Sequence, residues 1–149
     1  MGYIENNLLP EEEVVVEAEH HVIALLWPAV IVVAGIALAQ TDSLYWLAPI
    51  LLLVGLWKEV NVIIAFATNE MGLTDQRIVG KTGFISRNTL EVRNDFISGL
   101  SVDQSIPGRI LGYGTIVVNG EGDESVGFPY IRDPQGLRNT IQSHLAEAA

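Results

Sequence analysis

The chain has 149 residues, 18 of them acidic and 8 basic, for a net charge of −10, with 49% hydrophobic residues and no cysteine; its mean hydropathy is +0.33. The absence of cysteine excludes disulfides, thiolate zinc sites, iron–sulfur clusters and cysteine nucleophiles. The acidic balance, with its few basic residues scattered from Lys58 to Arg138, excludes nucleic acid as a partner, because phosphate binding needs clustered Lys and Arg.

Residues 1–21 form an acidic N-terminal arm: Glu5, Glu11, Glu12, Glu13, Glu17 and Glu19 meet no Lys or Arg. From Val22 to Ala39 no charge occurs. At 1.5 Å per residue this run reaches about 27 Å as a helix, close to a hydrocarbon core of roughly 30 Å. Gln40-Thr41-Asp42-Ser43 is a short polar break, so the next apolar run, Leu44 to Trp57, must return antiparallel. That second run reaches only about 21 Å, so the helix is extended past Lys58 and Glu59, where a lysine stem can snorkel. The reading is a transmembrane helical hairpin with juxtamembrane stalk over 22–67, with helices over about 22–39 and 44–62 and the stalk formed by Val60 to Ala67. Trp27, Tyr45, Trp46 and Trp57 fall towards the ends of the spans, as interfacial aromatics do. Ala37-Leu38-Ala39 resembles a signal-peptidase site, but an acidic arm stands where a basic n-region belongs. The hairpin loop has no basic residue, whereas Lys58, Arg77 and Lys81 follow the second helix. By the positive-inside rule both termini and the domain after the hairpin are cytoplasmic, in a multi-pass protein of the cell membrane.

From residue 68 to 149 the apolar period becomes strand-like. Strands are predicted at Glu70–Leu73, Arg77–Thr82, Thr89–Arg93, Ile97–Val102, Thr115–Asn119 and Ser125–Tyr130, joined by short turns into an antiparallel meander. A C-terminal helix follows, with Asp133 as N-cap, Pro134 as first residue, and Leu137, Ile141 and Leu145 as the apolar stripe that covers one end of the sheet. Gly108, Gly112 and Gly114 permit tight turning between Pro107 and Gly114, with Ile110 and Leu111 inserted into the core. A phosphate-cradling glycine loop would need a following helix, and here a strand follows.

A bent antiparallel sheet plugged by a C-terminal helix is the pleckstrin-homology (PH) architecture, an all-β split barrel with a capping helix. Particular residues carry a closer resemblance. The stretch Leu73-Thr74-Asp75-Gln76-Arg77-Ile78-Val79-Gly80-Lys81-Thr82-Gly83-Phe84-Ile85-Ser86-Arg87 is one; Ser101-Val102-Asp103-Gln104-Ser105 leading to Gly108-Arg109-Ile110-Leu111-Gly112-Tyr113-Gly114-Thr115 is another. With Gly2-Tyr3-Ile4 and Asn7-Leu8-Leu9-Pro10, these resemble the bacterial PH-domain membrane proteins, which place two membrane helices ahead of a short PH domain. The resemblance implies that fold, and self-association as a secondary expectation; it names no activity.

No catalytic, cofactor or metal residue is predicted. His20 and His21 are adjacent, with Glu17 one turn earlier, but neighbouring helical positions diverge by about 100° and cannot both reach one ion. His144 has no Ser or Cys partner, Asp103 has no identifiable substrate, and Ser101, Ser105 and Ser125 lack a nucleophile-elbow context. Glu121, Asp123 and Glu124 form an acidic tip without calcium-loop spacing. Lys81 and Arg87 are too few for an inositide site. The expected function is a non-enzymatic, membrane-anchored binding or scaffold module. Its expected partners are the lipid bilayer, a second copy of itself or another membrane protein. The alternatives are an anionic-lipid-responsive sensor and an accessory subunit of a transport or secretion complex.

Overall fold

The computed structural model describes residues 2–122 and 124–149. The predicted alternation becomes two antiparallel sheets. The first holds β1 (Val14–Glu17), β2 (Glu70–Thr74), β3 (Arg77–Thr82) and β4 (Asn88–Arg93) in that order. A 3-10 turn at Asn94–Phe96 leads to the second, formed by β5 (Ile97–Asp103), β6 (Tyr113–Gly120) and β7 (Ser125–Arg132). All six strands expected after residue 68 are present. Leu73, Ile78, Leu90 and Val92 of the first sheet face Leu100, Ile116, Val118, Phe128 and Ile131 of the second in one buried cluster. Gly80 is required there, because a Cβ at that position would run into the Phe128 ring.

The C-terminal helix α5 (Pro134–Ala148) starts where expected, with the Asp133 side chain accepting from the Gly136 N–H at 3.2 Å. Its stripe meets the core: Ile141 is buried, and Leu137 and Leu145 pack beside it. The short helix α1 (Tyr3–Asn6) lies over the outer side of the first sheet and buries Ile4 against Gly72, where a side chain would collide with it. Asp123 of the acidic tip lies outside the described residues.

Three expectations are corrected. The acidic arm is not separate from the domain. Val16 pairs with Leu73, and the Ala18 N–H donates to the Met71 carbonyl at 2.9 Å. Immediately afterwards the chain crosses to the other sheet: the His21 N–H donates to Tyr130 O at 3.0 Å, the Arg132 N–H to Glu19 O at 2.7 Å, and His20 bridges Ile131. Residues 14–21 therefore form the seam between the sheets, because three consecutive valines supply a β-branched strand that satisfies the otherwise open edge of β2. The domain thus begins before the helical hairpin, which is inserted between β1 and β2.

The second correction concerns the helices. Val22–Leu25 is a 3-10 turn continued by α2 (Leu26–Leu38), and Tyr45–Leu47 is a 3-10 turn continued by α3 (Ala48–Thr68). The second helix runs through the expected stalk because nothing in Val60–Ala67 interrupts it; the backbone turns extended only at Asn69. One helix, Tyr45–Thr68, with mean hydropathy 2.0 over its most apolar window, is long and apolar enough to cross a membrane, while Val22–Leu38 is a shorter apolar helix. The two pack closely through glycine. A Cβ at Gly55 would sit 2.7 Å from Val32 Cγ2, and one at Gly35 would sit 3.0 Å from Leu52 Cγ.

The third correction is at 106–111, expected as a turn that buries Ile110 and Leu111. It is a six-residue helix, α4 (Ile106–Leu111), capped by Ser105 Oγ accepting from the Gly108 N–H at 3.2 Å and ended by Gly112 at φ 80°. Leu111 is partly buried, but Ile110 is 77% exposed. A helix places positions 106 and 110 on one face, and here that face is turned away from the core.

Candidate functional site

The base of the hairpin docks on the domain through a small cluster. Ala24 of the first 3-10 turn, Val62 of α3 and Tyr113 of β6 are buried together, with Ile23, Phe66 and Tyr130 around them. The rings of Phe66 and Tyr130 lie 6.2 Å apart, as do those of Tyr113 and Tyr130. Burial pushes both tyrosine hydroxyls up, away from ionisation. Tyr130 adopts φ 58°, a left-handed backbone that is an outlier for an aromatic residue.

Two cavities open at this junction. A cleft of about 390 Å³ runs between Trp27 and Trp57 and carries polar groups from Lys58, Asn61, Ser105, Tyr113 and Tyr130. Beside it, a groove of about 520 Å³ lies between α2 and α4, lined by Leu26, Val30, Ile106, Ile110 and Leu111 with no polar surface. Trp27 and Pro107 line both. Beyond the junction none of the described residues covers the hairpin: Val33 is 63% and Leu53 71% exposed, and only 11% of the apolar window of Tyr45–Thr68 is buried. Contiguous apolar surface of this extent is uncommon on water-soluble monomers.

The arm is fastened by charge. Glu12 has its carboxylate sealed from solvent against Arg77, with Oε1 2.9 Å from Nε and Oε2 3.0 Å from Nη2. Thr74 Oγ1 donates to the same carboxylate at 2.7 Å and the Leu9 N–H at 2.6 Å. The Arg77 hydrogen bond, with help from Leu9 and Thr74, outweighs desolvation and lowers the Glu12 pKa to about 2. Arg77 also reaches Glu91 at 2.7 Å and the Asn7 carbonyl at 2.8 Å, so one guanidinium ties the arm to β3 and β4.

A family model described as Bacterial PH domain matches residues 15–149. This chain belongs to the bacterial PH domain family. No curated protein matches it, and no solved structure does. The match begins inside β1 and continues through the hairpin, in keeping with a PH domain whose first strand precedes the helices.

Within this PH domain the histidines do not converge. His20 is half-buried against Phe66, ring centroids 5.0 Å apart, and its pKa is lowered by burial against an opposing effect of Glu70. His21 faces elsewhere and caps the first 3-10 turn, Nδ1 accepting from the Ile23 N–H at 3.3 Å. Among the described residues no group of three or more His, Asp or Glu side chains is placed to hold a metal ion. His144 lies in α5, Ser101 and Asp103 in β5, and Ser125 in β7. Lys81 is engaged by Tyr3, with Nζ 5.7 Å from the ring centroid, and Arg87 ends the exposed turn after β3. Sequence reasoning missed the junction cleft because its lining comes from five separate segments; the lone Lys58 beside Trp57 was its one local signal.

Proposed function

We propose that the protein is a non-enzymatic, membrane-anchored PH-type binding module, with its hairpin in the cell membrane and both termini and the domain on the cytoplasmic side. The observation that carries this reading is the uncovered apolar surface of α2 and α3; Trp27, Trp57 and Lys58, the residue types of an interfacial belt, lie together at the junction cleft. Lys58, Arg77 and Lys81 on the domain side, against a loop without basic residues, support the orientation. Insertion of the hairpin between β1 and β2 holds the domain against the bilayer by two chain connections, so any membrane-bound partner meets it at high effective concentration. That partner is a second copy of the chain or another membrane protein.

The chain has no cysteine, so single replacements report topology without background. In intact spheroplasts the Ser43→Cys chain is labelled by a membrane-impermeant maleimide, and the Gln142→Cys chain only after permeabilisation. Release of the protein from membranes by alkaline carbonate, or labelling at position 142 from outside, overturns the reading.

A further inference from the structure

We propose that the junction cleft and groove together hold one glycerophospholipid molecule, its phosphate against Lys58 and the two tyrosines and an acyl chain along the groove between α2 and α4. This rests on the membrane reading and adds a defined lipid site to it. The polar and apolar halves are adjoining: Trp27 and Pro107 line both cavities, and each volume falls within the ~300–1,000 Å³ of small-molecule sites. A ligand that fills both needs a polar end and a hydrocarbon end.

The polar half is a donor set. Lys58 makes no ion pair among the described residues and offers an ammonium group, a point-charge phosphate binder. Burial keeps both tyrosine hydroxyls protonated. Ser105 Oγ accepts from the Gly108 N–H and hydrogen-bonds with the Tyr113 hydroxyl, which holds the two hydroxyls together at the cleft. Asn61 uses its side-chain amide N–H on the Trp57 carbonyl at 2.7 Å, which leaves the amide oxygen to accept from a headgroup hydroxyl or amine. Tyr130 holds φ 58°, and strain of that kind at a cavity wall is maintained where a side chain must be aimed.

The apolar half explains α4. Ile106 and Ile110 are each 77% exposed, one turn apart on a helix whose caps are otherwise satisfied. They face Leu26 and Val30 across the groove, at the level of the two tryptophans, where acyl chains meet headgroups. A chain with net charge −10 repels a multiply anionic lipid, so the ligand carries a single phosphate.

The full-length protein, purified in mild detergent and stripped of lipid, is titrated with dioleoyl-phosphatidylglycerol and observed by native mass spectrometry. One lipid is expected to bind before any further adducts. Lys58→Gln and Ile110→Ser, both at exposed positions, each weaken that first adduct at least tenfold. Ile63→Ser, exposed on α3 outside both cavities, leaves it within twofold. Glycerol 3-phosphate at equal concentration does not compete. Unchanged circular dichroism spectra and elution volumes confirm that the variants are folded. Adducts that accumulate without a first strong one, insensitivity to both cavity substitutions, or equal competition by glycerol 3-phosphate overturns the proposal. Lipid-free dimers that Ile110→Ser dissociates also overturn it, since a second copy then covers the groove. A protein that stays in carbonate-washed membranes yet binds no such lipid defeats this inference alone; one released from them defeats the membrane reading as well.

Discussion

Replacing Glu12 by alanine removes the carboxylate that joins the arm to Arg77 and leaves a guanidinium whose side chain is only 11% exposed without its main partner. The lowering of the Glu12 pKa from 4.5 to about 2 corresponds to roughly 3 kcal/mol, at about 1.4 kcal/mol per unit. Breaking a buried pair costs about 3–5 kcal/mol, and Arg77 keeps Glu91 and the Asn7 carbonyl, so the lower end applies. The loss is local, because what Glu12 secures is β1. Hydrogen exchange of the Val14–Glu17 amides should accelerate about a hundredfold, the ratio equivalent to roughly 3 kcal/mol, while amides of β6 change little. The same pair sets a pH dependence. A carboxylate whose pKa is depressed in the folded state contributes stability that is complete above about 4.5 and is lost as pH falls towards about 2. After correction for intrinsic rates, β1 protection should therefore decline below about pH 4.5, and in Glu12→Gln it should be low at neutral pH and flat across that window. Protection of β1 within threefold of the unaltered chain in Glu12→Ala refutes the reasoning.

The packing makes further predictions. Gly55→Leu, whose first added carbon would sit 2.7 Å from Val32 Cγ2, should force α2 and α3 apart and cost about 1–3 kcal/mol, read as a lower midpoint of thermal unfolding in detergent. Gly80→Ala drives a methyl into the Phe128 ring and should cost about 3 kcal/mol; Phe128→Leu in the same chain should recover part of that loss. Asp133 combines an N-cap with φ 42°. Alanine there loses the cap and keeps the strain, so Asp133→Ala should cost at least about 1 kcal/mol, whereas Asp133→Gly should cost only a few tenths. Equal unfolding midpoints for those two variants would contradict the assignment.

Local pattern was enough for what local forces decide. The strands from β2 to β7 follow from period-2 alternation and turn residues, and α5 follows from Asp133, Pro134 and a four-residue apolar recurrence. The two apolar helices and their antiparallel return needed only composition and a short polar break. The resemblance to bacterial PH domains, carried by the stretches around Arg77 and Gly108, was also legible, and the match over residues 15–149 bears out that part of it. Pairing across distance was not legible. Val14–Val16 sits among acids that read as a solvated arm, and only the unfilled edge of β2 and the guanidinium of Arg77, more than fifty residues away, turn it into the seam of the domain. Likewise Ile110 looks like a core residue by type, and its exposure is decided by the Ser105 cap and Gly112, which make a helix whose outer face borders the open groove beside α2 and not the core. Sequence by itself determined the strands β2 to β7 and the two apolar helices, because those preferences act within a few residues. Tertiary structure alone decided where the arm goes and what gathers at the base of the hairpin, because those outcomes depend on edges and charges that meet only when the chain has folded.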